Sequence, residues 1–144
     1  MTEGVRKKEF RVPSVFAQVP KTSNEILDFL GALDLSEDAR FDIRLCLEEA
    51  LINAIKYGHR MDEKLKVRVL VECDPGRVSL TIEDNGPGFN LGALKDCTKE
   101  DNLLSTRGRG VYLIHRLMDQ VKYNDKGNKL KMIKFLRRRS KKSR

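Results

Sequence analysis

The chain has 144 residues, of which 29 are Lys or Arg and 21 Asp or Glu, for a formal charge of +8. Such a length suits one domain around a single core, and every apolar run is too short or too broken by charge to reach the roughly 20 residues of a membrane-spanning helix. Six of the basic residues sit in the last eight positions, leaving 23 basic against 21 acidic in residues 1–136, so the body of the domain is nearly balanced and direct nucleic-acid binding is not expected of it.

Residues 8–12 alternate charged and apolar groups as a short strand does, and Pro13 ends it. Ile26, Phe29, Leu30 and Leu33 then recur at helical spacing; Pro20 marks the start of that helix or a kink, and Gly31 or the region of Asp34 its end. Ser36 is placed to cap a second helix with Glu37 and Asp38 in its first turn, running to about residue 57 with Gly58 as a natural stop. At about 100° per residue this helix carries two apolar stripes. Ile43, Leu47, Ala50 and Ala54 form one, and Phe41, Leu45 and Ile52 lie roughly opposite, so the helix is expected to be sandwiched between layers. Glu49, Asn53 and Lys56 share a seam between the stripes.

Val67, Val69 and Val71 alternate in one segment and Val78, Leu80 and Ile82 in the next; Asp74-Pro75-Gly76 between them makes a hairpin turn. Residues 84–109 are rich in Gly, Asn, Thr and charge, and so long a connection inside a compact domain is usually a functional loop or lid. Val111, Ile114, Leu117 and Met118 mark a third helix opening on glycines. Val121 and Tyr123, then residues 130–136, are two closing strands around a turn at 125–128. The order predicts an α+β domain over residues 8–136: a two-layer sandwich with a mixed, mostly antiparallel sheet and helices on one face. Residues 137–144, basic and without apolar partners, are expected to be a disordered tail.

Cys46, Cys73 and Cys97 are odd in number and widely spaced, matching neither a disulfide framework nor a zinc pattern, and read as buried or idle thiols. No apolar secretory stretch opens the chain, so a cytoplasmic protein is expected.

Three segments hold the residue types a nucleotide site needs. In Glu49-Ala50-Leu51-Ile52-Asn53-Ala54 the carboxylate and the amide are one helical turn apart, with Cβ atoms about 5 to 6 Å from one another. The amide oxygen is a hard ligand suited to Mg²⁺, and the carboxylate can take a proton from an attacking hydroxyl. Glu48 points about 100° elsewhere. Asp84-Asn85-Gly86-Pro87-Gly88-Phe89 follows a strand directly: Asp84 can accept from an exocyclic amine such as that of adenine, and the glycines let a planar ring approach the backbone. Arg107-Gly108-Arg109-Gly110-Val111 opens a helix, where free N–H groups bind phosphate and Arg109 can add charge.

In this order the segments resemble the N, G1 and G2 boxes of the GHKL ATPases, the superfamily of gyrase, MutL and the histidine kinases, which share the Bergerat or histidine-kinase-like ATPase fold. Residues 41–56 and 110–121 look like the anti-sigma serine/threonine kinase branch, and residues 127–136 are similar to its closing strand. The resemblance implies ATP and Mg²⁺ as cofactors, Glu49 as general base and Asn53 as metal ligand. It implies Asp84 as the adenine reader beside Gly86 and Gly88, and Gly108, Arg109, Gly110 and Val111, with Lys56, around the phosphates under a lid at 90–107. In that branch the γ-phosphoryl goes to a serine or threonine of an anti-anti-sigma partner of the STAS fold, and the kinase, as a homodimer, sequesters a sigma factor. The alternative within the same fold is a non-catalytic ATP-dependent interaction switch.

Two departures stand out: Asn128-Lys129 occupies a place where the branch often has a threonine, and the lid keeps only Thr98, Ser105 and Thr106 of a threonine-rich pattern. His59 and His115 read as structural or surface groups, because a phosphoacceptor histidine needs an upstream helix pair for which the chain has no room.

Overall fold

The structure, a computed structural model, describes residues 5–59, 62–85 and 106–136. Gly86, Gly88, Cys97, nearly all of the expected lid and the basic tail lie outside those residues.

Five strands form one sheet among the described residues: β1 (Arg6–Pro13), β2 (Lys66–Asp74), β3 (Arg77–Glu83), β4 (Gln120–Tyr123) and β5 (Lys129–Phe135), in the order β1-β2-β3-β5-β4. Every pairing is antiparallel. Two turns set the register. Asp74 Oδ1 accepts from the backbone N–H of Gly76 at 2.7 Å and of Arg77 at 3.0 Å, closing the β2–β3 hairpin. Asn124 Oδ1 accepts from Gly127 N–H at 2.8 Å and Asn128 N–H at 3.0 Å, and Gly127 takes a φ of 80° that disfavours a side chain.

Alternation along the strands gives the sheet two unlike faces. Val67, Val69, Val71, Val78, Leu80, Ile82, Leu130 and Met132 turn to one face and are buried under the helices. On the other face Arg68 Nε lies 3.0 Å from Glu9 Oε1, and Arg68 Nη1 lies 2.9 Å from Glu83 Oε1. The Arg68 guanidinium accordingly holds the Glu9 carboxyl below its ordinary range.

The helical layer comprises α1 (Gln18–Phe29), α2 (Glu37–Asn53) and α3 (Thr106–Leu117), with a 3₁₀ turn at Leu30–Ala32 after α1. Pro20 falls in the first turn of α1, where its missing N–H costs no helical bond. Ser36 caps α2, its Oγ accepting from Ala39 N–H at 3.0 Å. The α-helical winding stops at Asn53, and residues Ala54–Gly58 continue as a π-helical turn in which His59 N–H donates to Ala54 O at 2.8 Å.

One expectation fails here. Ile43, Cys46, Leu47, Ala50, Leu51, Ala54 and Ile55 of the α2 region are buried, but Phe41 is 61% exposed and Leu45 and Ile52 only half-buried, so α2 is not sandwiched. The sheet covers one side and α1 and α3 flank it, which leaves the second stripe at the outer surface. No helix among the described residues is long and apolar enough to cross a membrane.

Candidate functional site

A cleft opens at the end of the strands where α2, β3 and α3 meet, lined by Ala50, Asn53, Ala54, Ile82, Asp84, Val111, Tyr123, Gly127, Asn128, Lys129 and Leu130. Asn53 ends the α-helical part of α2, Asp84 is the first residue after β3, and Val111 lies on the inner side of α3. Residues spread over most of the chain thus share one small volume because three elements end or turn there.

Asn53 supplies the clearest chemical signal. Its Oδ1 is buried and has no hydrogen-bond partner. A buried amide oxygen left unsatisfied costs about 1–3 kcal/mol, so a side chain held in that state fits a hard cation. Among the described residues no three His, Cys, Asp or Glu side chains converge.

Glu49 lies one turn before Asn53, and the two meet α3 at Gly110. A Cβ added to buried Gly110 would lie 2.5 Å from Glu49 Oε1 and 3.4 Å from Asn53 Nδ2. Helix α3 begins at Thr106, earlier than the glycine pair, so Gly108 falls in its first turn and Gly110 in the second. Gly110 therefore seats the Glu49 carboxylate instead of standing at the helix start. Val111 is 2% exposed and lines the cleft.

Asp84 is held from two sides. Its own N–H donates to Asn128 O at 3.0 Å, and the next N–H, that of Asn85, donates to His59 Nε2 at 2.8 Å. A Cβ on Gly58 would lie no more than 2.6 Å from the Asp84 carboxylate atoms, so the π turn presents bare backbone to that side chain. Gly58 does not have a positive φ, so it is not the left-handed helix cap that its position suggested. Neither Gly58 nor His59 was a sequence-level candidate; a Gly-His pair directly after the Asn53 turn was the only signal available.

Two charged residues, Glu48 of α2 and Lys56 of the π turn, lie apart from this arrangement. Lys56 is exposed, its ammonium 5.3 Å from the Tyr57 ring centroid, and does not line the cleft. Glu48 accepts from Ser23 Oγ at 2.6 Å and pairs with Arg44 at 3.6 Å, tying α1 to α2. Below the site, burial first and then the Asp42 charge push the Cys46 thiol up to about 12, so it stays protonated.

The sequence pattern of the histidine kinase-like ATPase domain matches residues 12–134. The serine-protein kinase RsbW of Bacillus mycoides strain KBAB4 is 25% identical over 96% of this chain and 90% of its own length. The serine-protein kinase RsbW of Listeria monocytogenes is 28% identical over 70% of this chain and 69% of its own. The crystal structure of the RsbU and RsbW domains of Rv1364c from Mycobacterium tuberculosis superposes with a TM-score of 0.63 at 13% identity over 92% of this chain. This chain spans 32% of that longer one, and the likeness concerns the fold.

Proposed function

The chain belongs to the histidine kinase-like ATPase domain family, and from that premise we propose that it is an ATP- and Mg²⁺-dependent protein serine/threonine kinase of the anti-sigma type. The observation that carries the proposal is the orphaned Oδ1 of Asn53 in a cleft shared with Asp84 and the inner side of α3. The names of the RsbW relatives support the serine-kinase class. The partners follow from the same likeness: a STAS-fold anti-anti-sigma protein as phosphoacceptor, a sigma factor as the protein held in check, and a second copy of the chain.

In this proposal Asp84 accepts a hydrogen bond from the adenine amine, and the first turn of α3, with Gly108 and Arg109, faces the phosphates. Bound Mg²⁺, held by Asn53, would neutralise phosphate charge as the γ-phosphoryl moves. Glu49 takes the proton of the attacking serine or threonine hydroxyl, so the reaction is driven chiefly by positioning and charge stabilisation with base assistance.

The test is transfer of label from γ-labelled ATP to a STAS-domain protein. Asp84→Ala should abolish nucleotide binding; Glu49→Ala should keep binding and lose transfer. Nucleotide binding by the unaltered protein without labelling of any partner would replace the kinase with a nucleotide-dependent interaction switch. An unchanged transfer rate in Glu49→Ala would remove the base assignment.

A further inference from the structure

We infer that His59 is a positioning residue of the nucleotide site: its neutral imidazole fixes the peptide that follows Asp84 and thereby the place where the Asp84 carboxylate is presented. The inference rests on the proposal that the cleft binds ATP, and it deepens it.

The neighbours of the ring determine its proton. A backbone N–H can only donate, so with Asn85 N 2.8 Å from Nε2 that nitrogen must be the lone-pair one. The single ring proton then sits on Nδ1, which lies 2.7 Å from Ser14 Oγ and donates to it. The ring is 3% exposed and Ser14 fully buried, so water does not compete for either bond. A second ring proton, or the other tautomer, would set N–H against N–H at Asn85.

A buried histidine with two partners is ordinary in a core; the location of these partners is not. Ser14 follows β1, His59 follows the π turn beyond α2, and Asn85 stands two residues past β3, so one ring ties the ends of β1 and of the π turn to the segment that carries the cleft-lining Asp84. The histidine backbone is itself fixed: its N–H donates to Ala54 O at 2.8 Å and its carbonyl accepts from Asp62 N–H at 3.0 Å. Asp84 N–H is bound to Asn128 O, so both peptide groups around the Asp84 carboxylate are tethered, one of them by His59. The preceding residue, Gly58, leaves the carboxylate room against the same turn. Loss of the Nε2 acceptor frees one tether and lets the carboxylate drift from its seat, at a site where hydrogen-bond direction decides base recognition.

The experiment compares the full chain with His59→Leu and His59→Gln, titrating a fluorescent ATP analogue and measuring KM and kcat for transfer. A Gln Oε1 can reach the Asn85 N–H; Leu has no acceptor. In His59→Leu, affinity should fall about tenfold or more, the loss expected for one directed hydrogen bond, and KM should rise by more than kcat falls. His59→Gln should recover most of that affinity. Nitrogen NMR of the unaltered protein should show Nδ1 protonated and Nε2 not, independently of how well the variants fold. Equal affinity in all three proteins, equal loss in both variants, or the reverse tautomer would each overturn the assignment. Absence of ATP binding in the unaltered protein would instead overturn the nucleotide site on which it stands.

Discussion

The bare backbone of Gly58 lies against the carboxylate of Asp84 so closely that even a methyl group there would sit no more than 2.6 Å from the carboxylate atoms. Asp has one methylene between backbone and carboxylate, and the backbone on both sides is hydrogen-bonded to Asn128 and His59, so the side chain cannot swing away cheaply. Gly58→Ala should therefore weaken ATP binding about tenfold, an effect of one misplaced hydrogen bond. The same change gains about 0.5–1 kcal/mol of helical propensity, so stability should move little. Nucleotide titration alongside urea unfolding separates the two, and unchanged affinity would mean that the contact does not position Asp84.

Gly110→Ala presents the opposite balance. Here the displaced atom is Glu49 Oε1, the far end of a flexible side chain, which can rotate aside. The fold should tolerate the methyl group, while turnover should drop by about 10², the usual worth of a positioned general base. Steady-state kinetics at saturating ATP test this; a normal kcat would show that the Glu49 carboxylate need not rest on Gly110.

These two glycines also mark how far the sequence can be followed. The Ser36 cap, the Asp74 turn and the buried side of α2 were legible because each depends on local chemistry or a repeating period. The convergence of Asn53 and Asp84 was legible from box order, not from distance. The exposure of Phe41 was not, since a second apolar stripe looks the same whether another layer covers it or solvent does. The role of Gly58 was hidden for a related reason. Glycine at a helix end usually serves left-handed backbone, and only a tertiary contact with Asp84 reveals the other use. Lys56 falls on the π turn just beyond Asn53, where the α-helical spacing that groups it with Glu49 and Asn53 no longer applies.

Asn53→Ala should leave the free protein as stable or slightly more so, because the variant removes a buried acceptor that forms no bond and adds a better helix former. With ATP present, however, the rise in thermal midpoint should no longer depend on Mg²⁺. Thermal melts with ATP plus Mg²⁺ against ATP plus chelator give the answer through ligand-linked stabilisation. A Mg²⁺ increment equal to that of the unaltered protein would exclude Asn53 as the ligand.

Cys46 gives a pH prediction of definite sign. Its thiol is pushed from 9.0 up to about 12 in the fold, so above 9.0 the unfolded chain releases this proton while the folded chain keeps it. The folded state then binds more protons, and stability contributed by Cys46 is complete below 9.0 and declines as pH rises toward 12. Urea unfolding of the protein and of Cys46→Ala across that window should show a shallower decline in the variant. Parallel declines would assign the alkaline loss to other groups.

Lys134 joins two parts of the fold at the end of the sheet away from the cleft. Its ammonium lies 3.0 Å from Asp42 Oδ2 of α2 and donates to Leu117 O, the last residue of α3, at 2.7 Å. Both side chains are less than one-fifth exposed, at 17% and 19%, so solvent screens the pair only partly. Lys134→Met would strand the Asp42 carboxylate and a helix-terminal carbonyl together, at a cost of about 2–3 kcal/mol. Replacing Asp42 with Leu in the same chain removes the stranded charge, so the double variant should be more stable than Lys134→Met alone. Nucleotide affinity should be unchanged in each, because Lys134 pairs with Val78 in the sheet, four residues along β3 from the cleft-lining Ile82. Urea unfolding of the unaltered protein, Lys134→Met, Asp42→Leu and the double variant gives the coupling directly, and strictly additive effects would mean that Lys134 and Asp42 do not act as a pair.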